Sequence, residues 1–210
     1  MRSALAVISG VLAFGACIPY INDIIAGRVV PARSTRIMFL VLLSLALFQQ
    51  HDLGSRWGLL FIVGEFAVSI AVFIASIKYG IGGVSRTDII CYSLLFFDVI
   101  FWTITRNSLL GIHITILADL IAVFPTILKT IRFPKSETPL FFWLGGFCAL
   151  LAMFAEPEFT YSHIAFPLYL ALVNVFIAAL TYRTSHQSIQ TLRKEPHVKT
   201  YGSVTPPLGG

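Results

Sequence analysis

The chain has 210 residues, of which 57% are hydrophobic and 12% charged, with a net charge of +5 and a mean hydropathy of +0.84. That balance excludes an ordinary soluble domain and places the chain in a lipid bilayer. A bilayer core about 30 Å thick takes roughly 20 apolar residues per helix, so the length holds about seven short-looped spans and leaves no room for a separate catalytic domain.

Apolar runs occupy residues 4–25, 36–50, 57–78, 88–104, 109–130, 138–155 and 164–182. They are read as helices. Strands of a membrane barrel are about 10 residues of alternating polarity, whereas Leu40–Phe48 and Leu59–Val63 are apolar almost throughout. The first run is preceded by Arg2 alone and continues past Cys17 to Ile25, which fits a true span better than a cleaved leader. The polar tail from Thr184 to Gly210, with Pro196, Pro206 and Pro207, is expected to be disordered.

The fifteen Lys and Arg residues set an orientation. Arg28, Arg33, Arg36, Lys78, Arg86, Lys129, Arg132, Lys135, Arg183, Arg193, Lys194 and Lys199 fall on one side, and only Arg2, Arg56 and Arg106 on the other, beside Asp52, Glu156 and Glu158. By the positive-inside rule the N-terminus is outside and the C-terminus inside. The positive charge is a topology signal, and no nucleic-acid partner is expected. Cys17, Cys91 and Cys148 sit inside spans and read as buried thiols.

The two ends of the chain repeat each other. Span one closes with Pro19-Tyr-Ile-Asn-Asp-Ile-Ile, a basic loop and Ser34-Thr35; span five closes with Pro125-Thr-Ile-Leu-Lys-Thr-Ile, a basic loop and Glu137-Thr138. From proline to threonine is sixteen residues in the first copy and thirteen in the second. Lys78 ends span three and Arg183 ends span seven, with Glu65 thirteen and Asn174 nine residues earlier. Span four has no counterpart. Two three-span halves joined by a linker helix follow, a 3+1+3 all-α layout in which the linker makes the halves parallel. Its expected boundaries are 1–83, 84–105 and 106–183, with a tail at 184–210.

These halves resemble the triple-helix bundles of the PQ-loop and SWEET superfamily, in which a proline near the inner end of the first helix precedes a basic loop and a Ser or Thr entering the second. Pro19-Tyr20 and Pro125-Thr126 stand where the name-giving Pro-Gln would be. Lys78-Tyr79-Gly80, Thr87-Asp88-Ile89-Ile90-Cys91 and Ala118-Asp119-Leu120 are similar to stretches of bacterial seven-span members. The resemblance implies a small-solute transporter of a bacterial plasma membrane, hinged at Pro19 and Pro125, with Asn174 contacting the solute. Glu65 stands at the matching place in the first half. A carboxylate there shifts the expected chemistry from neutral hydroxyls toward a proton, a cation or an amine-bearing solute.

The residues themselves point to the same level of the bilayer. An ionisable side chain at a helix centre costs about 2.5 to 3.5 kcal/mol on insertion scales, so it normally faces a cavity or a partner. Glu65, Asp98 and Asp119 are such residues, and Asn174 lies at their depth. In span five, Thr115, Asp119, Ala122, Thr126 and Lys129 recur at helical spacing beside Pro125. The candidate solute or ion site is therefore Asp119, Glu65, Asn174, Thr115 and Asp98. Asp98, in the linker, has Arg106 or a nearby hydroxyl as expected partner, and Trp102 lies close enough to stack on a solute. Asp23, Asp88 and Glu137 are expected to be neutralised at the basic end.

Two other functions fit parts of the pattern. A solute-sensing or sorting receptor would use the same scaffold, and fold alone does not separate it from a transporter. An intramembrane zinc hydrolase would need converging histidines, but His113 alone lies inside a span and no two histidines have ligand spacing. No enzyme activity, metal or cofactor is expected; the partners are the bilayer and a small polar solute or proton, and a homo-oligomer is compatible with the sequence.

Overall fold

The computed structural model describes residues 2–80, 82–84, 86–134 and 137–182. The polar tail, Lys135, Arg183, Arg193, Lys194, Lys199, His186 and His197 lie outside the described residues. Within them are seven α-helices: α1 (Arg2–Ile25), α2 (Arg33–Asp52), α3 (Gly58–Tyr79), α4 (Arg86–Thr105), α5 (Ser108–Arg132), α6 (Pro139–Ala155) and α7 (Tyr161–Thr181). Each apolar run becomes one helix, displaced by a few residues at its ends. Helices α1, α3, α4, α5 and α7 are long and apolar enough to cross a membrane, and α6 is a shorter apolar helix of 17 residues. Helix α2 is more polar, beginning at Arg33 and Arg36 and ending in Gln49-Gln50-His51-Asp52.

The exposed faces of the helices carry bulky apolar side chains, while the inward faces mix small and polar residues with larger apolar ones. In α1 the buried side is Ala6, Ser9, Ala13, Ala16, Cys17, Tyr20 and Ile24, recurring every three or four residues. Its opposite side exposes Val7, Val11, Phe14 and Ile18. An apolar outer face of this kind fits lipid as the surrounding solvent. The inward faces let backbones approach. A Cβ on Gly64 of α3 would lie 2.8 Å from the carbonyl oxygen of Gly10 in α1, so only glycine permits this crossing.

Helix α1 packs against α3 and α6; α2 against α3, α4 and α5; α4 against α5; and α7 against α5 and α6. Hydrogen bonds at the helix ends show that successive helices alternate in direction. At one end Arg2 donates to the Pro157 carbonyl (3.1 Å), Gln50 to the Ser162 carbonyl (3.2 Å) and Ser108 to Asp52 (3.2 Å). At the other Arg33 donates to the Ser76 carbonyl (3.0 Å), Ser34 to Asp88 (2.8 Å) and Thr138 to Asp23. The second end carries Arg28, Arg33, Arg36, Lys78, Arg86, Lys129 and Arg132, and the first carries Asp52, Glu156 and Glu158.

The two ends also differ in packing. The largest buried cluster draws on Ala13, Ala46, Phe61, Ile62, Ile112, Cys148, Ala149, Ala152, Phe166 and Ala171, which run from mid-bundle toward the acidic end. Small side chains interleave there with a few aromatic rings and close the bundle. The acidic end is tied further by Glu156, which is buried after the last turn of α6. Its carboxylate accepts from the Ser55 hydroxyl and the Gly58 amide, both at 2.6 Å. Trp57, the residue preceding α3, supplies no side-chain cap, so the open amides of that helix are met by a carboxylate from another helix.

Candidate functional site

Toward the basic end the helices splay around a cavity of about 570 Å³, within the range of small-molecule sites. Its lining includes residues of all seven helices and runs from mid-helix to the loops at residues 29–32 and 82–84. Glu65 of α3, Asp119 of α5 and Asn174 of α7 all line it. The sequence places these three at one depth, and the fold turns them into one space.

Each of the three is left with capacity to bind. Asp119 accepts a hydrogen bond from the Tyr169 hydroxyl at 2.7 Å, and Glu65 has no hydrogen-bond partner among the described residues. Asn174 donates one amide hydrogen to the Leu170 carbonyl (2.8 Å), and a Cβ on Gly145 would lie 3.2 Å from its Oδ1. The amide thus packs against α6, with its second hydrogen and Oδ1 unused by other hydrogen bonds among the described residues. Ser69, one turn along α3 from Glu65, adds a hydroxyl.

Nearer the basic end the lining becomes aromatic and cationic. Tyr20 stacks on Phe141 with ring centroids 4.4 Å apart. The Arg36 guanidinium lies 5.5 Å from the Tyr20 ring centroid and 5.8 Å from that of Phe39, and donates to the Tyr20 hydroxyl at 2.7 Å. Its Nε is buried without a partner. Lys129 pairs with the buried Glu137, and Pro125, Thr126 and Ala122 complete the α5 wall. Pro125 thus sits on the cavity, whereas Pro19 does not line it; both lie inside their helices, as does Pro167 in α7.

Thr115 and Asp98 are placed elsewhere. Neither lines the cavity. Both are fully buried, together with Gln49, where α2, α4 and α5 meet. Thr115 lies one turn beyond Asp119 toward the acidic end, and the helix carries its side chain toward α2 rather than into the open space. Asp98 finds a hydroxyl partner in Thr115; Arg106, the other expected partner, makes no ion pair with it. Trp102 is occupied as well, donating to Ser108 at 2.9 Å with its ring 6.3 Å from that of Phe48.

The other acids expected at the basic end all have partners there. Asp23 is bridged to Arg28 at 2.5 Å and Glu137 to Lys129, while Asp88 accepts from Ser34 and Thr35. His113 bonds the Leu109 carbonyl and the Tyr161 hydroxyl, both at 2.6 Å. Among the described residues no three His, Cys, Asp or Glu side chains are grouped as metal ligands.

Sequence reasoning passed over Tyr169, Tyr20 and Arg36. Tyr169 carried a legible signal, being a phenol at the middle of an apolar run where its hydroxyl needs a partner. Arg36 was accounted for by topology, which concealed its second role. Compared with protein-family models, curated proteins and solved structures, the chain finds no match.

Proposed function

We propose that the protein is a small-solute transporter working by alternating access, with Glu65, Asp119 and Asn174 as its central site. The observation that carries this reading is that one cavity joins those three polar side chains, from three different helices, to the basic end of the bundle, and none of its lining residues lies at the acidic end. A mid-depth site reached from a single side is what one half-cycle of alternating access requires.

The helix pairing supports a 3+1+3 scaffold of the PQ-loop and SWEET kind. In the first half α3 packs on α1 and α2, and in the second α7 packs on α5 and α6. Between halves, α1 meets α6 and α2 meets α5, so exchanging the halves preserves every pairing. The linker α4 lies outside that exchange. With the basic end cytoplasmic, the cavity faces inward and the N-terminus is outside.

Two carboxylates and an amide at the deep end favour a solute bearing a cationic or amine group, or a proton carried with a neutral one. The test is flux in proteoliposomes across sugars, amino acids and amines, with Asp119→Asn and Glu65→Gln. Each variant is expected to lower transport at least tenfold for the accepted solute, about 1.4 kcal/mol. Unchanged flux in both variants would reject the site. Saturable binding of a solute without any flux would instead assign the protein as a receptor.

A further inference from the structure

The three side chains that stand apart from the cavity pose a problem of proton counting. Gln49 Nε2 lies 3.1 Å from both carboxylate oxygens of Asp98, Thr115 Oγ1 lies 2.9 Å from Gln49 Oε1, and Thr115 Oγ1 lies 2.5 Å from Asp98 Oδ2. These form a closed triangle of three contacts. Each contact at hydrogen-bond distance between electronegative atoms needs a hydrogen. Threonine has one hydroxyl hydrogen, and the amide faces each neighbour with only one of its two ends, so it serves one contact of the triangle.

Two hydrogens are therefore available for three contacts if Asp98 is a carboxylate. Turning the amide over does not help, since the amide oxygen then faces the carboxylate and the deficit moves to that side. In either orientation two oxygen atoms are left facing each other with nothing between them. A proton on Asp98 removes the deficit. The acid donates to Thr115, Thr115 donates to Gln49, and Gln49 donates back to Asp98.

The surroundings agree with a neutral group. Asp98, Gln49 and Thr115 are all fully buried, and no described Lys, Arg or His forms an ion pair with Asp98. The elements packed there are α2, α4 and α5. The nearest acid along α2, Asp52, is exposed and accepts from Ser108 instead. An unpaired charge in such a place costs several kcal/mol. Space is also reserved for the triangle: a Cβ on Gly111 would lie 2.7 Å from Gln49 Nε2 and 3.3 Å from Asp98 Oδ1.

We propose that Asp98 is a proton-binding site separate from the cavity, holding one proton as a neutral carboxylic acid that closes a hydrogen-bonded ring with Gln49 and Thr115. The bound proton joins α2, α4 and α5. Losing it breaks one side of the ring and leaves a bare carboxylate buried between those helices. This assignment does not depend on whether the protein transports, senses or binds a solute.

Infrared spectroscopy of the full chain in lipid vesicles at neutral pH tests it. The C=O stretch of a protonated carboxylic acid is expected in the wild-type protein, shifted in heavy water, and reduced by one group in Asp98→Asn. Asparagine can replace every bond of the ring, donating to Thr115 and accepting from Gln49, so its thermal stability should match wild type. Thr115→Val keeps the acid and removes its acceptor, so the same band should persist at higher frequency. A wild-type spectrum identical to that of Asp98→Asn in this region overturns the proposal. If Asp98→Asn fails to fold, an unmoved band in Thr115→Val overturns it instead.

Discussion

The Tyr169 hydroxyl of α7 points at Asp119 of α5 and donates to its Oδ2 across 2.7 Å. This hydrogen bond joins α7 to α5 and orients the carboxylate at the deep end of the cavity. Because Asp119 is half-buried and borders open space, water can replace the phenol when it is lost. Tyr169→Phe should therefore cost less than about 1 kcal/mol of stability. Under the proposed transport function, flux should fall about tenfold because the carboxylate is no longer held in place. Thermal unfolding and proteoliposome flux measured on one preparation separate the two effects; an equal loss in both would make Tyr169 merely structural.

Glu156 has no such access to water. Its relative exposure is 3%, and Glu156→Ala leaves the Ser55 hydroxyl and the Gly58 amide without an acceptor. Hydrogen bonds to a charged group contribute about 1.5 to 3 kcal/mol each, so a loss of about 3 kcal/mol is expected. Glu156→Gln retains an acceptor oxygen and should lose less than half of that. Thermal unfolding in detergent checks the order, and equal effects of the two substitutions would show that the carboxylate is not what holds this end.

The crossing of α1 and α3 should tolerate no side chain at its centre. Gly64→Ala drives a methyl group against the Gly10 carbonyl, a backbone atom that can move only if the helices part. A destabilisation of about 1 to 3 kcal/mol is expected. Gly15→Ala is the control, because a Cβ there meets nothing within 4 Å and alanine is the better helix former by about 1 kcal/mol. It should leave the unfolding temperature unchanged or raise it.

Lys129 and Glu137 form an unequal pair, with the lysine side chain 40% exposed and the glutamate 3%. Removing the exposed partner by Lys129→Met strands the buried one, whose Oε2 already has no hydrogen bond. The expected loss is about 2 kcal/mol, and Glu137→Gln in the same background should recover most of it. A double-mutant cycle measures this directly; additive losses would show that the two side chains do not support each other.

The seven helices were legible because lipid demands a run of fixed length and little else, and the ends of each run agree with the helix to within a few residues. Glu65, Asp119 and Asn174 were legible because polar groups at mid-depth are costly enough to need a reason. Depth does not report rotation, however. In water an apolar stripe marks the inward face of a helix, but here apolar residues surround every helix, so nothing distinguishes Thr115 from Asp119 as to which way each points. Gln49 was hidden for a related reason: near the end of its run it reads as a residue entering a loop, whereas it is buried against Asp98. Tyr20 and Arg36 lay in stretches already read as part of a repeat and as a charge asymmetry, and a residue with one sufficient explanation attracts no second.

The glutamate that caps α3 has a consequence for how the chain is made. Gly58 and its acceptor are separated by 98 positions, and helices enter a membrane in the order in which they are synthesised. The first turn of α3 is thus laid down with its amides open, and stays so while α4, α5 and α6 are added. That cap at the acidic end is completed only when Glu156 arrives, three helices after the one it caps, so α3 waits for α6 before its first turn is satisfied.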